Sequence, residues 1–382
     1  MTTINVVDLT SDLVRVPSLS GQERDVAQLV AKRMSEMGYS DISIDDNGSV
    51  LGFVGPEDGE LALLFDAHLD VVPVVGQWSV DPFGAERRDG RLYGRGSTDM
   101  KGGLAAALCA AAQVAASGRL RKRIAVSASV LEEVIEGYAL GAVLDRYQPE
   151  AVVICEPSNL QIKTGQKGRQ EIVLTMKGKP AHAALPHAGI NPIELAATAL
   201  LALRNMPLPS DDVLGTTFLV PTDIISDPHP SISLIPSSVT IRFDRRTLLG
   251  ETAEAVTEAI TRCLTEAGLH DFSVTIVRTP VSTYTGHTCH PTRDLAAWHL
   301  PDGHVLTESV CQAVRDAGRE PELSTWWFCT NGSESAGKRG IPTIGLGPGN
   351  EEDAHTVDES VAIEQLEGAC EIYAHLCLRL AA

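Results

Sequence analysis

Leu61-Ala-Leu-Leu-Phe-Asp-Ala-His-Leu-Asp70 is the stretch that decides the fold. Its first half, Leu61 to Phe65, is wholly apolar and bounded by charged residues, which predicts a short strand buried on both faces. Its second half delivers Asp66, His68 and Asp70 where that strand ends. The neighbouring sequence repeats the theme. Lys101 to Ser117 is alanine-rich and stops at Gly118, a helix with a C-terminal glycine. Ile124-Ala-Val-Ser-Ala-Ser-Val130 alternates with the period of a strand, and Ala151-Val-Val-Ile154 is another buried strand. Upstream, Gln22 to Tyr39 opens after Ser20-Gly21 and carries Val26, Leu29, Val30, Met34 and Met37 on one helical face. Strand alternating with helix predicts a mostly parallel sheet flanked by helices, an α/β fold.

The character changes near Gly165-Gln-Lys-Gly168. Strands are expected at 171–176, 238–243 and 272–277, and helices at 190–206, opening near Asn191-Pro192, and at 252–268. Few long crossovers connect them, so this segment reads as a smaller α+β domain inserted into the larger one. After Pro280 the chain is loop-rich. A helix at 303–317, a buried strand at 341–346 and a closing helix at 359–381 return it to α/β character.

At 382 residues the chain is long enough for two domains and a sizeable core. With only 4 Trp, 6 Tyr and 7 Phe, that core must be mostly Leu, Val, Ile and Ala. The formal charge of −19 argues against a nucleic-acid partner, which needs basic patches. The longest apolar run, Leu104 to Ala116, is broken by Gln113 and too short to cross a bilayer, so no membrane association is expected. The start of the sequence lacks the basic and apolar regions of a signal peptide. Eight scattered cysteines without a Cys-x-x-Cys pair read as reduced thiols, so a cytoplasmic location is expected.

Potential metal ligands cluster where predicted strands end: His68 and Asp70, Asp99 before the alanine-rich helix, Glu132-Glu133, Glu156 and His355. Open α/β sheets bind ligands outside the carboxyl ends of their strands. Each piece alone has a plain reading: His-x-Asp as a buried hydrogen-bonded pair, Glu-Glu as a solvated helix start, Glu156 as a strand-end acid. Their joint placement points to a site. Imidazole and carboxylate donors suit zinc, cobalt or manganese. The number of groups suits two divalent ions, a pair that clamps the attacking and developing oxygens of a hydrolysis, with one carboxylate left over to move protons.

At these residues the sequence resembles the M20 family of metallopeptidases, of the acetylornithine deacetylase, succinyl-diaminopimelate desuccinylase and aminoacylase-1 type. The resemblance runs through Asp66-Ala-His68-Leu-Asp70-Val-Val-Pro73, Trp78 to Phe83, Tyr93-Gly-Arg-Gly-Ser-Thr-Asp99-Met-Lys-Gly-Gly103, Glu132-Glu133, Glu156-Pro157, Gly178-Lys-Pro-Ala-His182 and Ala354-His355-Thr356. It implies a catalytic domain in two parts, 1–167 and 279–382, and a lid or dimerisation domain at 168–278. It implies that Asp99 bridges two ions, Zn2+ first and Co2+ or Mn2+ as alternatives. His68 and Glu156 would complete one ion, Glu133 and His355 the other. Glu132 would be the general base, Asp70 would orient His68, and the Asp99-Met100 peptide would be cis. His182 would stabilise the oxyanion in the active site of a partner subunit, which makes a homodimer through the inserted domain the expected assembly. Arg246 matches an arginine that holds a substrate carboxylate, with a strand-end salt bridge as the other reading.

The sequence departs from the family pattern at Leu131, where Asp is usual, at Ser233 for Asn, at Leu249 for Pro, and at Thr330-Asn-Gly-Ser-Glu-Ser335, which replaces a Gly-Gly-Thr-Ser-like loop. Asn331 and Gly332 in that loop are candidate substrate contacts. Trp326, Trp327 and Phe328 before it read either as an aromatic pocket wall or as a core strand. Gly286-His-Thr-Cys-His290 has the look of a metal motif but no partner ligands nearby, and reads as a loop. The function implied is hydrolysis of an amide bond in a small N-acyl amino acid. A metallo-dipeptidase or aminopeptidase, or a hydrolase of another C–N bond in a catabolic pathway, is the alternative. An inactive metal-binding scaffold is disfavoured by the intact Glu132. A phosphate-binding Gly-rich loop and a Gly-x-Ser-x-Gly nucleophile elbow are absent.

Overall fold

The computed structural model of the chain describes residues 4–382. It divides into two compact units. The first takes the chain up to Gln166, then Pro280–Cys289 and Trp298–Ala382; the second takes Lys167–Thr279 and His290–Ala297. The stretch after 279, read from sequence as one return, is therefore split. Residues 281–282 pair with 288–289 as a hairpin in the first unit, whereas Asp294–Leu295 adds to the sheet of the second by pairing with Gln170 and Arg169.

The first unit is built on a nine-stranded mixed sheet. Its centre is the parallel set Arg123–Ser129, Leu61–His68, Ala151–Ile154 and Thr343–Gly345, in that spatial order. Antiparallel neighbours flank it, Val50–Val54 on one side and Ile162–Gln166 on the other. Leu61–His68 is buried from Ala62 onward, as its unbroken apolar start requires. The crossover to Arg123–Ser129 is the helix Gly102–Ala116, which lies against the closing helix Ile363–Ala381. Its small residues permit a tight approach. A Cβ on Gly103 would strike the carbonyl oxygen of Cys155, so the absence of a side chain there lets the helix start beside the end of the Ala151–Ile154 strand. Four parallel strands end on the same edge, and that edge receives the segments carrying His68, Glu132, Glu156 and His355.

The second unit is an antiparallel sheet in the order 218–227, 238–247, 168–177, 272–276, with 294–295 beside 168–177. The strands Gly168–Lys177 and Ser238–Thr247 alternate in burial. Their inward residues Ile172, Leu174, Met176, Ile241 and Phe243 pack with Ala196, Ala199 and Leu203 of the helix Pro192–Arg204 and with Val256, Ile260 and Leu264 of Ala253–Glu266. The helix starts follow local chemistry: Asn191 and Thr252 cap them through side-chain oxygens. The strand Phe218–Asp227 has no counterpart in the sequence expectations. It is an edge strand with most residues exposed, so it lacks the apolar alternation that marks a half-buried strand, and its Pro221 is tolerated only because one side is unpaired.

Candidate metal centre

The two oxygens of the Asp99 carboxylate face two different imidazoles. Oδ1 is 3.0 Å from His68 Nε2, and Oδ2 is 3.0 Å from His355 Nε2. Asp99 reaches this position from a short irregular turn, Ser97–Lys101, at the start of the crossover helix, and its peptide bond to Met100 is cis. On the His68 side, Glu156 Oε1 lies 3.6 Å and Glu132 Oε2 4.0 Å from the same Nε2. On the other side, Glu133 Oε2 lies 3.0 Å from His355 Nε2. The structure thus gathers His68, Asp99, Glu132, Glu133, Glu156 and His355 around one point from four strand ends and the crossover turn. His68 is 1% exposed and His355 52%, so one side of the cluster is sealed and the other open to water.

The set fits two divalent cations. His68, Asp99 and Glu133 offer ligand atoms within 4.8 Å of one another, and so do His68, Glu132 and Glu156. Glu133 Oε1 is buried without a hydrogen-bond partner. Asp99, Glu132, Glu133 and Glu156 carry four negative charges when ionised, which two such ions balance. Without ions, protons serve instead. Burial and then the charge of Asp99 push the Glu133 carboxyl up to about 7, opposed by the hydrogen bond from His355 and the charges of His68 and His355. Burial followed by Glu156 raises Glu132, and burial followed by Asp99 raises Glu156. Burial alone would do the same to Asp99, but the hydrogen bonds from His355 and His68 hold it well below the usual carboxylate range. His355 is pushed up to about 10 by Asp99 and then Glu133. Burial disfavours charge on His68, yet Glu156 and Asp99 together hold its value well above that of a free imidazole.

Asp70 is placed differently from a simple partner of His68. The ring Nδ1 of His68 is 2.8 Å from the carbonyl oxygen of Asp70 and 3.6 Å from its carboxylate. A proton on Nδ1 donated to that carbonyl leaves Nε2 as the ligand atom. The Asp70 carboxylate instead accepts from the backbone N–H groups of Glu132 (3.0 Å) and Glu133 (3.1 Å). It fixes the turn that carries both acids.

Asn331 and Gly332, expected at the pocket, are structural. Asn331 is buried; its Nδ2 donates to Asp66 (2.7 Å) and Ser129 (3.1 Å), and its Oδ1 accepts from Gly137 N (2.5 Å). Both amide hydrogens are spent inside the protein. A Cβ on Gly332 would sit 2.6 Å from the Trp298 indole nitrogen, so this glycine is packed against a ring. Trp326 is a core residue, donating to the carbonyl of Pro157 at 3.0 Å, whereas Trp327 is exposed. Arg246 in the second unit donates to Asp244 at 2.8 Å, the salt-bridge reading of that residue. In the same unit His182 is exposed on a two-residue strand, and its Nδ1 accepts from Ala184 N at 3.0 Å, which puts the neutral ring's proton on Nε2. Gly286-His-Thr-Cys-His290 overlaps the 281–289 hairpin. Tyr284 and Thr285 of that hairpin bond the carbonyls of Gly48 and Asp46, and among the described residues no group able to hold a metal lies there.

Sequence reading missed Glu359. It is 1% exposed, and its Oε1 accepts from Thr98 N (3.0 Å) and Asp99 N (3.1 Å), while Oε2 takes Arg95 Nη1 at 2.5 Å. It therefore anchors the backbone of Asp99. Nothing local marks it, because its partners lie some 260 residues earlier.

Comparison with known proteins agrees with this centre. The model of peptidase family M20/M25/M40 matches residues 64–379. Uncharacterized protein YgeY of Escherichia coli K12 is 30% identical over 96% of this chain and 92% of that protein. Succinyl-diaminopimelate desuccinylase of Xylella fastidiosa is 29% identical over 99% of both. Among solved structures, a metallo-carboxypeptidase of the M20 family from Sulfolobus solfataricus shares the fold with a TM-score of 0.78 at 16% identity, over 99% of each chain. A dinuclear metal binding peptidase of the same family from Bacillus subtilis does so with 0.73 at 16% identity, over 98% of this chain and 96% of that one. The chain belongs to peptidase family M20/M25/M40, the metal-dependent amidohydrolases that its sequence resembles.

Proposed function

We propose that the protein removes the acyl group from an N-acyl amino acid by hydrolysis at a pair of divalent ions, zinc first and cobalt or manganese as alternatives. One observation carries the metal-pair reading: the single Asp99 carboxylate faces His68 with one oxygen and His355 with the other, both at 3.0 Å, so it would offer an oxygen to each of two ions; the acyl substrate is supported by the likeness to a succinyl-diaminopimelate desuccinylase. In this reading Asp99 would be shared by both ions, His68 and Glu156 would complete the hold on the sealed one, and Glu133 and His355 would do so for the open one. Bound ions supply Lewis-acid polarisation of the scissile carbonyl and acidify a water. Glu132, buried and bonded to the chain through its own amide, takes the proton of the attacking water on its carboxylate and delivers it to the leaving nitrogen. Asp70 keeps His68 and the Glu132-Glu133 turn in place.

The oxyanion needs a donor, and the Nε2 proton of His182 supplies one if the residue enters a partner subunit's site. The second unit offers a surface for pairing. Phe218–Asp227 is a ten-residue edge strand with Phe218, Val220, Ile224 and Ile225 exposed, the kind of edge that recruits a second strand. This edge supports a homodimer through the second unit. The eight cysteines form no disulfide among the described residues, which supports a reducing, cytoplasmic setting, and no helix among the described residues is long and apolar enough to cross a membrane.

The test is a hydrolysis panel on protein reconstituted with zinc, cobalt or manganese: N-acetyl, N-succinyl, N-formyl and N-carbamoyl amino acids and dipeptides, read by mass spectrometry. Cleavage of one acyl class is expected. Cleavage of dipeptides alone would replace the deacylase by a metallo-dipeptidase, and no cleavage with two ions bound would move the substrate outside both.

A further inference from the structure

We infer that Glu23 is a positioning residue for the general base, holding the backbone that places Glu132; the inference rests on the role proposed for Glu132. Leu131, Glu132 and Glu133 offer three successive backbone N–H groups, a concavity of the kind that binds anions. Two side-chain carboxylates fill it. Asp70 takes the amides of Glu132 and Glu133. Glu23 Oε1 takes the third, Leu131 N, at 3.2 Å.

That third amide belongs to the pivot of the turn. Leu131 has φ +61°, a left-handed backbone that a bulky non-glycine residue rarely adopts. A leucine lacks the short polar side chain that lets Asn or Asp adopt this conformation more readily. A change of torsion at Leu131 swings the Glu132 carboxylate directly, and a misplacement of about 1 Å costs roughly 10²-fold in rate.

Glu23 is not explained by its own neighbourhood. It precedes the helix Arg24–Met37 but makes no side-chain cap bond to it. It is fully buried, and its Oε2 has no hydrogen-bond partner. Its other bond, from Gly21 N at 2.9 Å, and the bond from Ser20 Oγ to Asp70 Oδ2 at 2.7 Å, tie the 20–23 turn to the same two carboxylates. Two turns that are distant in sequence are thereby locked together, with the base carried on one of them.

The experiment compares Glu23→Leu, Glu23→Asp and Glu23→Gln in the metal-loaded full chain, with amide hydrogen exchange measured on the metal-free protein. The expected result is a fall in kcat of about 30- to 100-fold for Leu and a fall in the same direction for Asp, whose carboxylate stops one methylene short. KM should stay within about threefold and two ions per chain should remain. Gln keeps an acceptor for Leu131 N and should restore kcat to within about threefold. Exchange at 131–133 should quicken in Leu and Asp, with the 363–381 helix unchanged. Wild-type kcat in both Leu and Asp would overturn the inference. So would a Gln variant as slow as Leu, which would make charge the cause, or a loss of metal in step with kcat. If Leu fails to fold, Asp against Gln decides. If the wild-type protein cleaves no member of the panel, the acyl-amino-acid and dipeptide readings fail, while exchange at the Leu131 amide still tests Glu23.

Discussion

Replacing Glu132 by Gln separates the base from the ligands. The geometry makes the experiment necessary, because Glu132 shares a metal-competent group with His68 and Glu156. Gln keeps the length of the side chain, and the backbone amide at 132 can still donate to Asp70, so the turn has no reason to move. A positioned general base is worth about 10²–10⁴-fold in rate, which is about 3–5 kcal/mol of barrier. We therefore expect kcat to fall about 10³-fold, with KM within a small factor and two ions per chain by elemental analysis. Stability should move the other way. Burial and Glu156 raise the Glu132 carboxyl well above its ordinary value, so ionising it in the folded protein is unfavourable, and Gln carries no such cost. In the metal-free state near pH 8 the variant should resist urea at least as well as the wild type. Near-native kcat would remove Glu132 as the base. Loss of one ion would make it a ligand and transfer the proton work elsewhere.

His182→Ala should lower kcat strongly, and mixed dimers with Glu132→Gln protein should recover activity if the histidine acts across subunits; failure to complement would confine it to its own chain. Glu359→Leu should strip the buried Arg95 of its counter-charge and release the amides of Thr98 and Asp99. Breaking a buried pair from one side costs about 3–5 kcal/mol, so a lowered denaturation midpoint and weaker metal retention are expected, and an unchanged midpoint would refute the anchor. Removing the ions should make stability depend on pH with a defined sign. The Glu133 carboxyl rises from 4.5 to about 7 and His355 from 6.5 to about 10. Both values are higher folded than unfolded, so their contributions are complete below the unfolded values and fade as pH climbs through about 7 and about 10 respectively. Metal-free protein should thus lose stability between pH 5 and 10, and a rise over that range would contradict the proton-filled site.

The cluster of candidate ligands was legible in sequence because its signals are local. A buried strand is a short apolar run, its end is where the run stops, and His68, Glu132, Glu133 and Glu156 follow such runs, while Asp99 precedes the alanine-rich helix and His355 lies in the loop after 341–346. The helices over 24–37, 102–116, 192–204 and 253–266 were legible for the same reason, through periodicity, caps and terminal glycines. The Phe218–Asp227 edge was not, since an exposed strand with one paired side leaves little apolar alternation. Asn331 misled because a polar residue in a loop looks alike whether it meets a substrate or is buried on Asp66 and Ser129.

The sequence by itself determined which chemistry is available: imidazoles and carboxylates at the ends of parallel strands, in a family-wide pattern. Tertiary structure alone showed which carboxylates gather at the candidate metal centre and which are spent on backbone amides. Glu23, Asp70 and Glu359 are acids like the ligands, yet each is spent on the amides of Leu131, of Glu132 and Glu133, or of Thr98 and Asp99. Those partners lie 62 to 261 residues away. A hydrogen bond depends on distance in space, and only the folded chain brings such groups to 3.0–3.2 Å.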